Sequence, residues 1–342
     1  FHTLKGDFVG LDTAGVGAFF GGMLENPLMM TFWMVLAVIL GFLPVARGLQ
    51  SGVEKITKWM MVGLILLMVA LSFNSLTLKG GSEGLKFYLV PNFSNLINNG
   101  FFEALYAAMG QAFFTLSLGI GSVAIFGSYI DKQNRLTGEA IRIIGLDTIV
   151  ALASGLIIFP AAFAFGVQPD AGPSLIFITL PNIFNQMAGG RFWGTLFFIF
   201  MSFAALSTLI AVFENIISFW IDLRGTSRKK AVLINAIAIA VLSLPVILGF
   251  NKWSRFTPFG PGTNVLDLED FVVSTTLLPL GSLIFTLYCT WRYGWGWDNF
   301  IKEADSGTGR KFPSKLRIYF KYILPAIIIV IFVKGYFDIF HG

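Results

Sequence analysis

The sequence predicts an all-α, polytopic membrane protein, and its composition carries that prediction. Of the 342 residues, 55% are hydrophobic and 13% are charged, whereas soluble domains carry about 25% charged residues. The mean hydropathy is +0.75. Phe and Gly each occur 37 times, a combination typical of helices that pack closely in lipid. The composition therefore excludes an ordinary cytosolic enzyme.

Eight segments are apolar over about the 20 residues that a membrane-spanning helix needs. They cover residues 27–48, 56–76, 102–130, 141–165, 192–221, 231–250, 271–290 and 318–333. Each is a continuous apolar run bordered by Gly, Pro, Asn or charged residues. This pattern is typical of helices and differs from the short alternating strands of a membrane barrel. We predict one transmembrane domain over residues 1–342.

Two connections, residues 79–101 and 166–191, are long and rich in apolar side chains. Turn-forming residues interrupt them at Pro91, Pro169, Gly172, Pro173 and Pro181. We expect both connections to form short helices on the outer surface, because long loops without structure are uncommon in compact domains. A lid and plain surface packing are equally consistent with this composition.

The distribution of basic residues predicts the orientation of the chain. Most of the 24 Lys and Arg residues fall on the connections after the first, third, fifth and seventh segments. Because basic residues concentrate in cytoplasmic loops, both termini are expected outside the cytoplasm, with an odd number of helices before Phe1. The net charge of +5 is thus explained by topology, and nucleic acid is not expected as a partner. We predict a multi-pass protein of the plasma (inner) membrane of a bacterium or archaeon, surrounded by the lipid bilayer.

Side chains for catalysis are scarce. Cys289 is the single cysteine, and the two histidines, His2 and His341, lie at opposite ends of the sequence, which excludes a disulfide framework and a multi-thiol metal site. Asp147 and Glu214 form the one candidate acid–base pair, and they lie on different predicted helices. We therefore predict that the chain is not an enzyme.

The third segment contains the run QAFFTLSLGIG at residues 111–121. Each glycine near mid-membrane weakens a helix by about 1 kcal/mol, which predicts a break at this depth. Freed carbonyls and hydroxyls would suit a small hard cation, and the N-terminus of the next half-helix would suit a carboxylate. The alternative is a close contact between helices through small residues.

Asp147 lies about two turns into the fourth segment, flanked by Gly145 and Thr148. A charge at that depth costs several kcal/mol unless it is paired, and no Lys or Arg lies at matching depth in another segment. A cation from solution is the simplest partner, and a carboxylate wetted near the cytoplasmic interface is the alternative.

The fifth segment contains Ala204, Ser207 and Thr208 at spacing i, i+3 and i+4, so they share one helix face. This face is either a cation site or a packing seam. Glu214, further along, is expected to bond Asn215 or a neighbouring helix. Taken together, buried oxygen ligands without a nucleophile–base constellation indicate an ion-coupled carrier. A channel would need a continuous polar lining, whereas these polar residues cluster at one depth.

Ordered motifs over nearly the whole chain resemble the neurotransmitter:sodium symporter family, in particular its bacterial amino-acid transporters. Residues 111–121, continuing to Ser128 and Tyr129, resemble the family's broken sixth helix. The seventh helix, fourth outer loop and eighth helix are similar to GLIIFP at 155–160, GPSLIFITLP at 172–181 and AALST at 204–208. RG at 47–48 with GVEK at 52–55 resembles the turn between the fourth and fifth helices. The resemblance implies the inverted-repeat symporter fold, with this chain corresponding to helices four to eleven and without the first three.

The resemblance also implies roles for individual residues. The first sodium ion would be bound by Thr115 and Asp147, and the second by Ala204, Ser207 and Thr208. The substrate pocket would be lined by Phe114, Ser117, Ile120, Thr208 and Val212. Gating residues would be Gln111 and Asp270 on the outer side, and Tyr129 and Asp222 on the inner side. Two sodium sites are expected in a full-length chain, because the broken first helix supplies half of each.

Some positions depart from the family's pattern. Asp147 stands where an asparagine is usual, and Ala151 where the chloride-dependent animal members have serine. We therefore expect the Asp147 carboxylate to replace chloride as the compensating negative charge. The family's glycine–nine residues–proline pattern begins at Gly52 but meets Val62, so local unwinding there is not expected from the sequence. Ile120, in place of an aromatic residue, removes one wall of the pocket.

The predicted function is sodium-coupled transport of an amino acid, apolar or aromatic, by alternating access around a site at mid-membrane. The alternative is a non-transporting receptor or a degenerate membrane remnant of the same fold, because half of the expected ion ligands are not in this sequence. Sodium-dependent binding without uptake would distinguish the alternative.

Overall fold

The computed structural model describes residues 1–98, 100–166 and 174–341, and within these ranges all regular structure is helical apart from one isolated bridge between Asn134 and Thr308. The α-helices are, in chain order, α1 (His2–Lys5), α2 (Thr13–Glu25), α3 (Pro27–Ala46), α4 (Lys55–Leu76), α5 (Gly81–Leu89), α6 (Phe93–Asn98), α7 (Phe101–Thr115), α8 (Ser122–Ser128), α9 (Leu136–Ala164), α10 (Leu180–Gln186), α11 (Gly190–Arg224), α12 (Arg228–Leu242), α13 (Leu244–Gly249), α14 (Val265–Asp270), α15 (Leu278–Thr290), α16 (Trp297–Ala304) and α17 (Leu324–His341). Short π-helical turns occur at Leu49–Glu54, Leu175–Thr179, Phe271–Leu277 and Tyr319–Ile323, and a 3₁₀ turn at Ser314–Leu316. The predicted all-α class is confirmed.

Helical segments that are long and apolar enough to cross a membrane coincide with seven of the eight predicted spans. They are Pro27–Ala46, Gly52–Leu76, Leu136–Ala164, Gly190–Arg224, Arg228–Gly249, Val265–Thr290 and Ser314–Phe340. The remaining predicted span, residues 102–130, is divided between α7 with 15 residues and α8 with 7. In the described part of the chain, seven continuous helical segments can therefore cross a membrane, and the eighth predicted span is broken.

Local sequence signals set several helix ends. The Asn26 side chain accepts a hydrogen bond from the backbone N–H of Met29 at 3.0 Å and caps α3. Pro27 occupies the first turn of α3. A backbone N–H in the first turn has no partner within the helix, so proline loses no hydrogen bond there. The longest helix, α11, ends at Gly225, which has φ of 60°. Glycine adopts this left-handed conformation without strain.

The described residues form two compact units. The first comprises Phe1–Pro91 and Val150–Ser254. Phe213 of α11 stacks on Phe42 of α3 with ring centroids 4.1 Å apart. A Cβ at Gly41 would lie 2.6 Å from the Phe213 ring, so glycine permits this close approach. A larger core joins α4, α9, α10 and α11 through Leu64, Met68, Leu71, Ile157, Ala161, Ala162, Leu180, Ile183, Phe184, Phe197 and Phe200.

The connection at residues 79–101 forms the short helices α5 and α6, and α10 lies in the connection at residues 166–191. α5 packs on α9 through Tyr88, whose ring stacks on Phe159 at 4.8 Å and whose hydroxyl donates to the Leu152 carbonyl at 3.2 Å. Burial raises the pKa of the Tyr88 phenol, so the hydroxyl stays a donor. The predicted turn residues Pro169, Gly172 and Pro173 lie outside the described residues.

The second unit comprises Asn92–Ile149 and Arg255–Gly342. It contains the broken span, the first part of α9, and α14 to α17. Its core is built on Phe113 of α7 and on Ile328 and Ile331 of α17. That residues 1–342 form one transmembrane domain stays a prediction.

Candidate ion and substrate site

The broken span is interrupted at residues 116–121, between the end of α7 and the start of α8. Gly121 has φ of 86°, and Ser117 has φ of 49°. Among the described residues, Ser117 is the only non-glycine residue with a positive φ. A serine adopts the left-handed region only where its surroundings constrain it. The chain therefore leaves the helical path at the depth that the sequence predicted.

Close backbone packing on α15 explains the glycine in this break. A Cβ at Gly119 would lie 2.1 Å from the Leu278 carbonyl oxygen, and a Cβ at Gly281 would lie 2.2 Å from the Gly119 oxygen. Backbone atoms cannot rotate away as a side chain can, so this approach needs glycine on both sides. The break and a close helix contact through small residues thus occur together in this run, and binding of a cation or a carboxylate at the break stays a prediction.

The break brings together the two residues predicted to bind the first sodium ion. Thr115, the last residue of α7, donates its hydroxyl hydrogen to Asp147 Oδ1 of α9 at 2.9 Å. Asp147 is half-buried, and none of the ion pairs among the described residues includes it. The carboxylate therefore has a neutral donor and an uncompensated charge. A carboxylate beside a hydroxyl oxygen is a donor set that a hard cation accepts.

The three residues predicted for the second sodium site lie within one turn of α11. The hydroxyls of Ser207 and Thr208 both donate to the Ala204 carbonyl, at 2.8 and 3.2 Å. Helical Ser and Thr commonly bond back to a carbonyl one turn earlier, and Ser202 does so to the Phe198 carbonyl at 2.7 Å on the same helix. The arrangement gathers three oxygens on one face, and it fits both a cation site and a packing seam.

The predicted outer-gate residues line one cavity of the second unit. Gln111 and Asp270 face a space of about 360 Å³, together with Tyr106, Phe114 and Ser274. Asp270 Oδ1 accepts a hydrogen bond from the Ser274 hydroxyl at 2.7 Å. The π-helical turn that begins at residue 271 directly follows Asp270, and such turns are frequent at functional sites. The cavity thus combines an acid, an amide and three aromatic rings, the third being that of Phe113.

The predicted substrate-lining residues are divided between the two units. Phe114, Ser117 and Ile120 belong to the broken span of the second unit. Phe114 is 58% exposed and Ile120 39% exposed, so both side chains reach the surface of their unit. Thr208 is exposed and Val212 half-buried on α11 of the first unit.

The predicted inner-gate residues also belong to different units. Tyr129 follows the end of α8 in the second unit and is 41% exposed. Asp222 is exposed near the end of α11 in the first unit. Both lie at helix ends, where an ion pair or hydrogen bond can form and break.

An ion pair that the sequence analysis missed lies deep in the first unit. Glu214 of α11 is completely buried, and both of its carboxylate oxygens accept hydrogen bonds from the Arg228 guanidinium, at 2.8 and 2.9 Å. Arg228, at the start of α12, also donates to the Val45 carbonyl at 3.0 Å. The expected bond from Glu214 to a neighbouring helix is present. The sequence does not indicate Arg228 as its partner, because Arg228 stands in the basic run of a connection between two predicted spans.

The broken span, the acid–hydroxyl pair at the break and the oxygen cluster on α11 define a class of membrane protein, the ion-coupled carriers with a discontinuous helix. The sequence profile of the sodium:neurotransmitter symporter family matches residues 14–340. The chain therefore belongs to the sodium:neurotransmitter symporter family. This is a family of transporters, in agreement with the prediction that the chain is not an enzyme.

Three relatives illustrate the similarity. The chain is 34% identical over 334 residues to an uncharacterized sodium-dependent transporter, YhdH, of Bacillus subtilis, covering 97% of this chain and 72% of that protein. A second uncharacterized sodium-dependent transporter, from Haemophilus influenzae, is 33% identical, with 92% and 67% covered. The crystal structure of MhsT in complex with L-phenylalanine aligns with a TM-score of 0.83 and 36% identity over 98% of this chain and 74% of that one. The resemblance to the symporter family and its fold is confirmed, and both of the bacterial relatives from Bacillus subtilis and Haemophilus influenzae are named as sodium-dependent transporters.

Proposed function

We propose that this chain forms the larger part of a sodium-coupled amino-acid symporter. The observation that carries the proposal is the 2.9 Å hydrogen bond between Thr115 and Asp147 at the break of the span. It joins an intramembrane acid, which has no cationic partner among the described residues, to an oxygen donor of a discontinuous helix. An acid at this depth is costly unless a counter-charge arrives, and sodium would supply that charge.

The proposed ion sites use the two oxygen clusters described above. Thr115 and Asp147 would contribute to a first sodium site, and the Ala204 carbonyl with the hydroxyls of Ser207 and Thr208 to a second. Each hydroxyl already points at another oxygen, so a cation entering the cluster would replace hydrogen-bond donation with coordination. Oxygen donors of this kind suit a hard cation. The coupling would arise because sodium binds one conformation more tightly than the other.

The proposed substrate is an apolar or aromatic amino acid. Phe114, Ile120 and Val212 are the apolar members of the predicted lining, and MhsT, a neighbour by fold and sequence, was solved with L-phenylalanine. Ser117, Thr208 and the backbone at the break would bind the polar end of the substrate, and substrate carboxylate would complete the shell of the first ion. Gln111, Asp270, Tyr129 and Asp222 would act as gates.

Chloride is proposed to be unnecessary. The Asp147 carboxylate supplies a fixed negative charge beside the first ion site, and Ala151, one turn further along α9, offers no hydroxyl to an anion. Uptake by the wild type should therefore continue when chloride is replaced by gluconate, and Asp147→Asn should make uptake chloride-dependent. Chloride-dependent uptake by the wild type would contradict this part of the proposal.

The direct test is uptake of labelled L-phenylalanine into proteoliposomes that contain the protein as its natural gene encodes it. We expect saturable uptake driven by an inward sodium gradient and none when potassium replaces sodium. Binding that depends on sodium, without uptake, would instead establish the receptor alternative. Topology in the bacterial plasma membrane, with the basic connections inside, is checked by accessibility labelling of Cys introduced at Lys229 and at Lys252.

A matched pair of serines on α11 tests the second ion site. Ser207→Ala should raise the sodium concentration for half-maximal uptake at least roughly tenfold, because one ligand is lost. Ser202→Ala removes the same kind of hydrogen bond one turn earlier and should leave that concentration unchanged. Equal effects of the two substitutions would assign Ser207 to helix packing and would remove the second site from the proposal.

A further inference from the structure

The connection between α15 and α17 carries a group of basic residues that the proposed transport cycle does not use. Arg310, Lys311, Lys315 and Arg317 are all exposed. No acidic residue occurs from residue 306 to residue 337. In the part of the chain that the structure describes, no ion pair includes any of the four. We refer to these four residues as the basic loop cluster.

Two other basic residues with the same predicted orientation have ion-pair partners in their own units. Arg228 is bound by Glu214, and Arg142 pairs with Glu139 at 2.6 Å. The basic loop cluster differs because its charges are concentrated in eight residues and are available to a ligand. The topological bias of basic residues explains why they lie on this side, but it does not explain their concentration without acids.

The basic loop cluster is held by a well-ordered hydrogen-bond network. Arg135, in the connection between α8 and α9, donates from Nε to the Asp305 carbonyl at 3.0 Å and from its guanidinium to the Gly309 carbonyl. The backbone N–H of Thr308 donates to the Gln133 carbonyl at 2.8 Å. A Cβ at Gly307 would lie 2.4 Å from the Lys132 carbonyl oxygen, so the two connections are in backbone contact. The loop that presents the basic side chains therefore has a defined path.

An aromatic cluster lies beneath the same loop. Phe312, between Lys311 and Lys315, contacts Phe300 of α16 and Phe320 before α17, with ring centroids 5.2 and 5.3 Å apart. The Asp305 carboxylate accepts a hydrogen bond from the Phe312 backbone N–H at 2.7 Å. These contacts turn Phe312 into the protein and leave the neighbouring basic side chains on the outside.

Apolar side chains extend from the same stretch toward the membrane. Ile318 is 67% exposed and Leu316 38% exposed, and they alternate with Lys315 and Arg317. Tyr319, Tyr322 and Trp291 are also exposed, and the Trp291 indole donates to the Lys321 carbonyl at 2.9 Å. Exposed Tyr and Trp at the end of a membrane span are typical of the interface between lipid tails and headgroups. The basic loop cluster is thus placed at headgroup depth, at the start of the span Ser314–Phe340.

We propose that the basic loop cluster binds anionic phospholipid of the cytoplasmic leaflet, with the headgroup phosphate on Arg310, Lys311, Lys315 and Arg317 and the acyl chains along Leu316 and Ile318. Arg and Lys clusters immediately beside a spanning helix attract anionic lipid, and the guanidinium fork matches phosphate geometry. No ion pair among the described residues includes any of the four basic side chains, and the nearby Asp305 carboxylate accepts its hydrogen bond from the Phe312 backbone N–H. The site is independent of the ion and substrate residues.

The experiment is retention of phosphatidylglycerol by the purified full chain, counted by native mass spectrometry from detergent and titrated against phosphatidylcholine. The test variant is K311Q/K315Q/R317Q. The control variant, K58Q/K229Q/K230Q, removes the same number of charges from exposed lysines elsewhere on the predicted cytoplasmic side. We expect the test variant, which lacks three charges, to lose roughly a hundredfold in affinity for phosphatidylglycerol, at about fivefold per charge. The control variant should retain wild-type affinity, and phosphatidylcholine retention should be equal in all three.

Equal losses in the two variants, or no loss in the test variant, would overturn the proposal in favour of a diffuse charge effect. Displacement of the lipid by millimolar inorganic phosphate would also overturn it, because the site would then be a simple anion site. The wild type provides a check that needs no variant, since affinity for phosphatidylglycerol should fall as NaCl rises from 50 to 500 mM, and a salt-independent affinity refutes the electrostatic part. None of these readouts involves uptake, so the outcome does not depend on the symporter proposal.

Discussion

Two acids of the spanning helices, Glu214 and Asp147, have opposite environments, and each belongs to a different unit. Glu214 of the first unit is fully buried and accepts hydrogen bonds from both terminal nitrogens, Nη1 and Nη2, of the Arg228 guanidinium. Asp147 of the second unit is half-buried and accepts a hydrogen bond from the neutral Thr115 hydroxyl. A buried acid that is paired with a basic residue of the same protein keeps that ion pair, because breaking the pair would leave two desolvated charges. An acid with only a neutral donor can accept a cation from solution, so the same residue class serves structure in one unit and ion binding in the other.

The largest expected effect comes from breaking the Glu214–Arg228 pair. Glu214→Gln or Arg228→Met alone should destabilise the protein by about 3–5 kcal/mol, because one charge stays buried without its partner. We expect a strongly lowered melting temperature in detergent, with and without sodium. The double variant should recover much of this loss. A double variant that is no more stable than either single variant would contradict the explanation that the loss comes from an unpaired buried charge.

The second prediction concerns Asp147→Asn, the matching change in the other unit. Saturating sodium at a hundredfold excess over its dissociation constant stabilises a protein by about 2.7 kcal/mol, and this increment should largely disappear in the variant when chloride is absent. Stability without sodium should change little, since the Asn side-chain oxygen still accepts the Thr115 hydrogen bond. The readout is the difference between melting temperatures in sodium and in potassium. An unchanged sodium increment would contradict the assignment of Asp147 as an ion ligand.

The third prediction tests how rigid the break next to Asp147 is. Gly119→Ala places a Cβ 2.1 Å from the Leu278 carbonyl oxygen, and the displaced backbone should cost about 1–3 kcal/mol. Gly110→Ala is the control on the preceding half-helix, where no atom lies within 4 Å of the added Cβ, and it should be neutral or stabilising by up to about 1 kcal/mol. Thermal melting in detergent separates the two. Equal stabilities would mean that the contact with α15 is loose.

The smallest expected effect concerns the hydroxyls near this contact. Ser122 at the start of α8 and Ser282 on α15 are buried, and neither Oγ has a hydrogen-bond partner. Ser282→Ala removes an unsatisfied buried group and should raise stability by between 0 and about 1 kcal/mol. Ser75→Ala is the opposite case, because the Ser75 hydroxyl donates to the Ile157 carbonyl at 2.7 Å, and it should lower stability. A loss on Ser282→Ala would show that this hydroxyl has a partner in solution.

Much of the fold could be predicted from the sequence, because membrane-spanning helices need little beyond a local property. A run of apolar residues of sufficient length must become a helix in lipid, where each backbone group needs an internal partner. The break at residues 116–121 was also predictable, since glycine and hydroxyl residues weaken a helix locally. The motifs at residues 111–121 and 204–208 were specific enough to identify the family that the profile match establishes.

The partners of the polar residues could not be read from the sequence. Glu214 and Arg228 are 14 residues apart on separate helices. The residue pattern of one helix does not show which residues of the next helix pack against it. The same holds for Gly119 and Gly281, whose backbones meet across 162 positions of sequence. These contacts depend on how helices pack, which is a property of shape and not of local composition.

The sequence by itself therefore determined the membrane class, the helices, the break and the family, since each follows from local apolarity, backbone preference or motif order. Only the tertiary structure decided that Glu214 is neutralised within the protein while Asp147 keeps a neutral donor. It also decided that Arg135 orders the loop bearing Arg310, Lys311, Lys315 and Arg317. The reason is physical, because the energy of a charge in a membrane protein depends on the atoms within a few ångströms of it, and those atoms come from other parts of the chain.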